Sequence, residues 1–376
     1  MRRSGIREVM DLAAGMSDVL HLEVGEPDFP TPRHIVEAGV AAARAGFTHY
    51  TPNAGLPELR DAIACVAGQV HGRPVSREQV VVTSGSVCGL MTSLMALVEP
   101  GDEVLIPDPG WPNYEMMVLS TGAVPVRYCL PEEHDFAPDL TALGSRVSPH
   151  TKAIIVNSPS NPTGAVFGKE IARGLVEWAR EHDVYILSDE VYDQLIYEGE
   201  HYSPARWDGD ERVIAVYSFS KTYAMTGWRI GYVVAPATIA GVITKLQEPV
   251  VSCASAISQK AAEIAIAGPQ TCVLEMRNAY RQRRDAALTI LRQAKVRATV
   301  PRGAFYVLVD VSRAASETFP FARQLLQEQR VAVAPGETFG EAGCGHVRVS
   351  LAADQRVVEE GVRRLVAALT LARRAT

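Results

Sequence analysis

KAIIVN (residues 152–157) and VYILSDE (residues 184–190) are two apolar stretches that flank a helical pattern from Lys169 to His182. Each stretch is short, rich in β-branched residues and almost continuously hydrophobic, as expected of a strand that is buried on both faces. Two strands that are separated by a helix imply a crossover connection, which makes the strands parallel. The segment therefore predicts a parallel sheet with helices packed on it.

The same alternation continues on both sides of this segment. Further strands are predicted at residues 79–83, 103–107, 213–217 and 230–234, with helices at residues 85–98 and from residue 113 onward. The last two strands are too close for a crossover helix, which leaves room for one of them to run antiparallel. The uncharged run from Gln79 to Val98 is long enough to span a membrane, but its polar residues favour a strand followed by a helix. The predicted fold class is α/β, with a mostly parallel central sheet covered by helices.

The pattern changes after Gln270. A long amphipathic helix is predicted at residues 270–294, and we interpret its arginines, Arg281, Arg283 and Arg284, as a solvated face. Short strands and two helices follow, as in a smaller α+β domain. We therefore predict a large domain at residues 39–270 and a small domain made of residues 1–38 and 271–376.

Composition limits the classes of function. The chain has 376 residues, of which 47% are hydrophobic and 21% charged, and this is typical of a globular protein. A formal net charge of −6 argues against nucleic-acid binding, which requires a basic face. No apolar stretch follows Met1, because Arg7, Glu8 and Asp11 interrupt it, so no secretion signal and no membrane association are expected.

None of the six cysteines has the CxxC or Cys/His spacing of a metal or redox site, so no metal is expected. We interpret them as buried, reduced thiols of a cytoplasmic protein.

Lysine is scarce, and only Lys221 directly follows a buried strand, in SFSK (residues 218–221). Ligands of open parallel sheets bind outside the carboxyl ends of the strands. A lysine at such a position is usually a solvated charge and less often a catalytic residue. The neighbours of Lys221 decide between these two interpretations.

Those neighbours favour an anion site. SGS (residues 84–86) lies between a strand and a helix, where small residues let backbone N–H groups approach an anion at the helix N-terminus. Arg229 could bind the same anion, for example a phosphate, through two hydrogen bonds, and Ser218 could add a hydroxyl donor.

Two further strand ends carry polar residues. Asp189 closes a strand, where an acid is either a helix cap or an anion that faces a cationic ring nitrogen, as a pyridoxal 5'-phosphate (PLP) site requires. Asn161 in NPTG is either part of a simple turn or an amide that bonds the phenolic oxygen of that cofactor.

Over nearly its whole length the chain resembles the fold-type I PLP-dependent aminotransferases of class I/II. The matching segments, in chain order, are LEVGEPDFPTP (22–32), YTPNAGLPELR (50–60), PGWPNY (109–114), NSPSNPTG (157–164), SDEVY (188–192), SFSKTYAMTGWRIGY (218–232), GAFY (303–306) and VRVSLA (347–352).

The resemblance implies a role for each matching residue. Lys221 would form the Schiff base with PLP, Asp189 would pair with its ring nitrogen, and Tyr192 and Asn161 would bond its ring oxygen. Trp111 would stack on the ring. The phosphate would be held by Gly85, Ser86, Val87, Ser218, Ser220 and Arg229, and by Tyr50 of the other subunit of a homodimer with shared sites. The substrate α-carboxylate would be bound by Arg348, with help from Gly25, Trp111 and Asn161.

The implied reaction transfers an amino group between an α-amino acid and a 2-keto acid. A PLP-dependent lyase, racemase or oxidase on the same scaffold is the alternative, since the residues that hold the cofactor do not decide which bond breaks. A non-catalytic PLP-binding regulator would need an effector domain. The SxxK pattern of residues 218–221 lacks the other elements of a serine hydrolase, and no G-x-G-x-x-G suggests a nicotinamide site.

The side chain of the substrate is harder to predict. Aspartate-specific relatives bring a second cation to the side-chain carboxylate, but no Lys or Arg lies between Lys245 and Lys260 of this chain. Arg7 is a possible substitute, since SGIREV (residues 4–9) resembles a segment that closes over the substrate in some relatives.

Overall fold

The structure is a computed structural model that describes residues 4–315 and 317–375. The helices are α1 Gly5–Ala14, α2 Arg33–Arg44, α3 Pro57–His71, α4 Ser86–Leu97, α5 Asn113–Ser120, α6 Leu140–Gly144, α7 Lys169–Glu181, α8 Phe219–Thr222, α9 Ala237–Val251, α10 Ala256–Ala267, α11 Thr271–Gln293, α12 Thr318–Gln329 and α13 Gln355–Ala375. The strands are β1 Leu20–His21, β2 Val80–Thr83, β3 Glu103–Asp108, β4 Val124–Cys129, β5 Thr151–Asn157, β6 Tyr185–Asp189, β7 Val213–Ser218, β8 Gly231–Val234, β9 Tyr306–Asp310, β10 Val331–Ala332, β11 Ala334–Pro335 and β12 His346–Ser350.

A seven-stranded sheet in the order β2-β8-β7-β6-β5-β3-β4 forms the centre of the molecule. All of its strands run parallel except β8, which is antiparallel to both β2 and β7. The predicted α/β class is confirmed. One strand of the last predicted pair, β8, runs antiparallel, as the short connection allowed. The run from Gln79 to Val98 forms β2 and α4, as predicted.

Both faces of this sheet are covered because successive strand residues point to opposite sides. Ile155 of β5 packs in the cluster that contains residues of α4, α5 and α9, whereas Ile154 packs against α7. Helices α3 and α10 cover the rest of that second face through residues such as Ile63 and Ala261. This burial on both sides explains the continuous hydrophobicity of the strand sequences.

A second, antiparallel sheet of order β11-β12-β9 packs with α11, α12 and α13. Strand β1 pairs in parallel with β10, and Val9 of α1 packs against Leu326 and Ala332. The N-terminal and C-terminal segments therefore share a hydrophobic cluster. The boundaries of the two domains stay a prediction.

Two expectations from the sequence are wrong in part, although Arg281 of α11 is exposed as expected. Arg283 and Arg284 of α11 are not solvated, since each is only 6% exposed. Arg283 donates to both carboxylate oxygens of Asp28 at 2.7 and 2.9 Å, and Arg284 donates to Glu198 at 2.7 Å and to the carbonyl oxygen of Pro301 at 2.9 Å. These partners compensate the loss of hydration that burial imposes on a guanidinium.

The cysteines are the second correction. All six are free, but Cys65, Cys129 and Cys344 are exposed and the other three are only partly buried.

No helix in the described part of the chain is long and apolar enough to cross a membrane. No group of three or more His, Cys, Asp or Glu side chains among the described residues is arranged to hold a metal ion.

Candidate active site

A cavity of about 320 Å³ opens at the carboxyl ends of the parallel strands of the central sheet. Most of the predicted site residues line it: Gly25, Ser86, Val87, Trp111, Asn161, Asp189, Tyr192, Ser218, Ser220, Lys221, Arg229 and Arg348. Crossover connections bring these residues together, because each strand of a parallel sheet ends at the same edge. Gly85 and Tyr50 do not line the cavity.

Lys221 lies in the short helix α8, one turn beyond the end of β7. Ser218 caps this helix by accepting a hydrogen bond from the backbone N–H of Ser220 at 3.1 Å. The Lys221 ammonium donates to the carbonyl oxygen of Gly25 at 2.7 Å. Burial lowers the pKa of Lys221 to about 8, the Glu26 carboxylate opposes this shift, and Arg229 and Arg348 add to it. The amine is therefore neutral in part of the population near physiological pH.

Asp189 is buried at the end of β6 and points into the cavity. Its carboxylate accepts hydrogen bonds from the Tyr114 hydroxyl at 2.6 Å and from the backbone N–H of Val191 at 3.4 Å. Burial raises the pKa of Asp189 to about 6, while the Tyr114 bond and the Lys221 charge act in the opposite direction. The carboxyl is thus ionised at neutral pH and poised to accept a cationic partner.

Asn157 ties the neighbouring strand ends together. Its side-chain amide donates to the Asp189 carbonyl oxygen at 2.9 Å, and its side-chain oxygen accepts the backbone N–H of Asn161 at 2.8 Å. The loop after β5 is thereby fixed relative to β6.

A cradle for an anion lies at the start of α4. Gly85 precedes this helix with φ +80°, and a Cβ atom at Gly85 would lie 2.6 Å from Nη2 of Arg229. The first N–H groups of a helix have no partner within the helix, so those of α4 are available to a ligand. Arg229 itself has φ +51°, which is unusual for a residue with a side chain. The close packing of Arg229 against Gly85 places a guanidinium beside the helix N-terminus.

Arg348 of β12 is the largest fully buried side chain of the cavity, at 2% exposure. It donates to the side-chain oxygen of Asn161 at 2.8 Å and to the Glu23 carbonyl oxygen, and it lies 4.2 Å from the centre of the Tyr306 ring. Its Nε has no hydrogen-bond partner among the described residues. A buried guanidinium with an unused donor favours an anionic ligand.

The remaining wall is aromatic. The Tyr192 and Tyr306 hydroxyls are 2.9 Å apart, and Trp111 packs edge-on against Tyr114 with ring centres 5.4 Å apart. A Cβ atom at Gly25 would lie 1.8 Å from the Tyr306 hydroxyl oxygen, so this position has no room for a side chain.

Several residues of the cavity were not predicted from the sequence. Tyr114, Asn157 and Tyr306 stand inside matching segments, but their roles follow only from the three-dimensional contacts. Ile6, Arg7 and Met10 of α1 also line the cavity, in the region where SGIREV was expected to approach the substrate.

Tyr50 lies outside the cavity, in the segment before α3. Its side chain is 89% exposed. The Tyr50 side chain is therefore accessible to a neighbouring molecule.

The chain is similar to known proteins over most of its length. The family model for aminotransferase class I and II matches residues 17–365. This chain belongs to that family. Aspartate aminotransferase of Pyrococcus horikoshii is 40% identical over 98% of this aminotransferase and 95% of the relative. Aspartate/prephenate aminotransferase of Thermus thermophilus is 41% identical over 94% of this chain and 91% of the relative.

The similarity extends to solved structures. A structure of the Thermus thermophilus aspartate aminotransferase with maleate matches this aminotransferase with a TM-score of 0.94 at 38% identity, covering 98% of this chain and 97% of the other. The chain is therefore a transaminase that moves an amino group between an α-amino acid and a 2-keto acid. This outcome sets aside the lyase, racemase and oxidase alternatives and the non-catalytic regulator. Class I and II aminotransferases use PLP.

Proposed function

We propose that this aminotransferase holds PLP in the cavity and that Lys221 is its covalent attachment point. The observation that carries the proposal is the partly buried Lys221 amine, which shares one cavity with the buried Asp189 carboxylate and the Arg229 cradle. The cradle suits a phosphate because it combines a helix N-terminus, a guanidinium and the hydroxyls of Ser218 and Ser220. Asp189 suits a protonated ring nitrogen, since it is a buried anion to which no arginine or lysine among the described residues is hydrogen-bonded.

When bound, PLP supplies an electron sink that stabilises negative charge at the substrate Cα. Lys221 would remove the proton from the substrate Cα and hold that proton for its return. Its lowered pKa provides the neutral amine that proton removal requires. Asp189 would keep the ring nitrogen protonated, Tyr192 and Asn161 would bond the ring oxygen, and Trp111 would stack on the ring face.

The α-carboxylate of the substrate binds Arg348, with Asn161 and Gly25 beside it. The hydrogen bond from Arg348 to Asn161 holds the guanidinium in place before the substrate arrives, and the unused Nε offers a further donor. The burial of Arg348 strengthens its attraction for a carboxylate.

Aspartate is the first amino donor that we propose to test, because the relatives named above act on aspartate. Four cations line the cavity among the described residues: Arg7, Lys221, Arg229 and Arg348. Three of them are assigned above, so Arg7 is the one that remains for a second carboxylate.

We further propose a homodimer with shared sites, in which Tyr50 of each subunit reaches the phosphate of its neighbour. The exposed position of Tyr50 supports this arrangement, since the Tyr50 side chain does not line the cavity of its own subunit. The compartment is proposed to be the cytoplasm.

Borohydride reduction of the purified protein followed by peptide mass spectrometry tests the attachment point. The reduced cofactor is expected on the peptide that contains Lys221. A screen of amino acids against two keto acids then tests the reaction, with equimolar formation of keto acid and new amino acid as the expected result. Attachment at another lysine, or deamination without transfer, would contradict the proposal.

A further inference from the structure

A buried polar cluster surrounds Glu190 behind the cavity. Glu190 follows Asp189 directly, and successive residues at a strand end point to opposite sides of the sheet. Asp189 therefore lines the cavity, whereas Glu190 does not and is only 1% exposed. A carboxylate buried this deeply needs hydrogen bonds and a counter-charge to be stable.

The cluster satisfies the Glu190 carboxylate with three donors. Ser203 donates to Oε1 at 2.7 Å, His201 Nε2 lies 2.7 Å from Oε2, and the Tyr217 hydroxyl donates to Oε2 at 3.0 Å. The Tyr217 oxygen is in turn 2.9 Å from Nε2 of His71. Since the single hydroxyl proton of Tyr217 goes to Glu190, His71 is the donor in that last contact.

His201 supplies the counter-charge. Its side chain is 9% exposed, and although burial opposes its charge, the bond to Glu190 and the Asp193 carboxylate raise its pKa above the usual value. Burial lowers the pKa of His71 to about 4, so His71 is neutral at physiological pH. The Glu190 carboxylate opposes this shift, and the charge of Arg73 adds to it. Arg73 itself lies 3.7 Å from the Asp208 carboxylate. For Glu190, burial acts to raise the pKa, but the bond and charge of His201 and the bond from Ser203 bring the pKa below its usual value. The 2.7 Å contact between His201 and Glu190 and the direction of both pKa shifts favour the charged form of this pair.

The cluster is joined to the strand ends that carry the cavity residues. Tyr217 is the neighbour of Ser218 in β7, and the backbone N–H of Glu190 donates to the Val216 carbonyl oxygen at 2.9 Å. The Tyr217–Glu190 bond therefore fastens the end of β6 to the end of β7 from the side opposite the cavity.

We propose that His201 is a positioning residue for transamination: by neutralising Glu190 from behind, it keeps the adjacent Asp189 ionised and able to hold the cofactor. The proposal rests on the assignment of Asp189 to the ring nitrogen made above. The physical reason is that two carboxylates on consecutive buried residues repel each other, and a proton on Asp189 relieves that repulsion.

The other groups that face Asp189 favour its charge. They are the Tyr114 hydroxyl from α5, the N–H of Val191 and the Lys221 ammonium after β7, whereas Glu190 opposes it. Removal of the His201 charge leaves Glu190 uncompensated, so Asp189 should take up a proton at higher pH. Removal of the Glu190 charge should have the opposite effect.

The test measures the dissociation constant of pyridoxamine 5'-phosphate for the apo-protein between pH 5 and 8. This amine form of the cofactor forms no bond with Lys221, and its own titration is common to every variant. His201→Gln, which keeps an amide donor near Glu190, should move the midpoint of the affinity profile upward by on the order of half a pH unit or more. Glu190→Gln should move it downward, and the double variant should lose the upward shift of His201→Gln.

Each variant is checked by circular dichroism, and His201→Asn replaces His201→Gln if the latter does not fold. Folded single variants whose midpoints stay unchanged or move in the same direction would overturn the proposal, since a purely structural cluster predicts no opposite shifts. Asp189→Asn separates this outcome from an error in the proposed function. If Asp189→Asn leaves the wild-type profile unchanged, Asp189 does not hold the ring nitrogen; if it flattens the profile while the cluster variants do not shift it, only the role of His201 is wrong.

Discussion

The Tyr114 hydroxyl donates a 2.6 Å hydrogen bond to Oδ2 of Asp189, and both side chains are buried. This bond lowers the pKa of the Asp189 carboxyl against the effect of burial. Tyr114 therefore stabilises the ionised form that the proposed cofactor site needs.

Tyr114→Phe removes this hydrogen bond and should raise the pKa of Asp189. We expect roughly tenfold weaker cofactor affinity at pH 7, which corresponds to the lower end of the range for a hydrogen bond to a charged group, about 1.5–3 kcal/mol. The loss should be larger at pH 6 than at pH 8, where Asp189 stays ionised in either protein. Tyr128→Phe is the matched control, because the buried Tyr128 hydroxyl bonds the Ile155 carbonyl oxygen away from the cavity. An equal loss at all three pH values would contradict the explanation.

The pKa of Lys221 has a consequence for the stability of the apo-protein. Lysine has a pKa of 10.5 in the unfolded chain and about 8 in the fold, so the unfolded chain binds more protons between these values. The free energy of unfolding should therefore rise with pH through the window from 8 to 10.5. Lys221→Met should make the apo-protein more stable at pH 7, by on the order of 3 kcal/mol, and this gain should shrink as the pH approaches 10.5.

Urea denaturation of the apo-protein at pH 7, 8.5 and 10 measures this difference. Lys152→Met is the control, since Lys152 is an exposed lysine of β5. A Lys221→Met protein that is no more stable than wild type at pH 7 would show that burial of the ammonium carries no net cost.

Arg229→Lys keeps the positive charge but loses the planar group that binds a phosphate through two hydrogen bonds. We expect at least tenfold weaker PLP binding, on the order of 1.4 kcal/mol, with an unchanged fold. Arg180→Lys is the control, because the Arg180–Asp210 pair is exposed and distant from the cavity. Unchanged PLP affinity in a folded Arg229→Lys protein would place the phosphate elsewhere.

Arg7→Gln tests the second carboxylate. If Arg7 binds the side chain of a dicarboxylic donor, KM for aspartate should rise about tenfold while KM for alanine changes little. Arg33→Gln, an exposed change on α2 next to Glu37, serves as the control. A similar rise for both donors would assign Arg7 to cavity closure and not to selection.

Tyr50 is tested by mixing inactive subunits. Tyr50→Phe and Lys221→Ala homodimers should each have little activity, but a mixed dimer has both lesions in one site and an intact second site. Random exchange makes half of the dimers mixed, so activity should recover to about a quarter of normal. No recovery after proven subunit exchange would mean that Tyr50 serves its own subunit.

The polar residues at the strand ends could be predicted from the sequence, because each lies at or just after a short apolar run that is recognisable as a strand. Asp189 ends an apolar strand, Lys221 and Asn161 come shortly after one, and parallel strands end at one edge of the sheet. The partners of these residues depend on packing between distant elements. Tyr114 and Asp189 are 75 positions apart in the chain, and no periodicity of the sequence predicts such a contact.

The buried arginines of α11 show the same limit. Arg283 and Arg284 read as charged surface because arginine seldom lies inside a protein. Their partners include Asp28, 255 positions away, and burial follows only once those partners are in place.

Strand β1 has a consequence for synthesis of the protein. Leu20 of β1 pairs with Val331 of β10, which the ribosome adds about 310 residues later. Strand β1 therefore cannot form its backbone pairing until β10 has been synthesised. At roughly 5–20 residues per second this delay lasts about 15–60 s. During that time the segment before α2 and the apolar face of α1 have no C-terminal elements to cover them, whereas the central sheet can already assemble. Chaperone contact with the nascent chain should therefore concentrate on these first residues and end when β10 emerges.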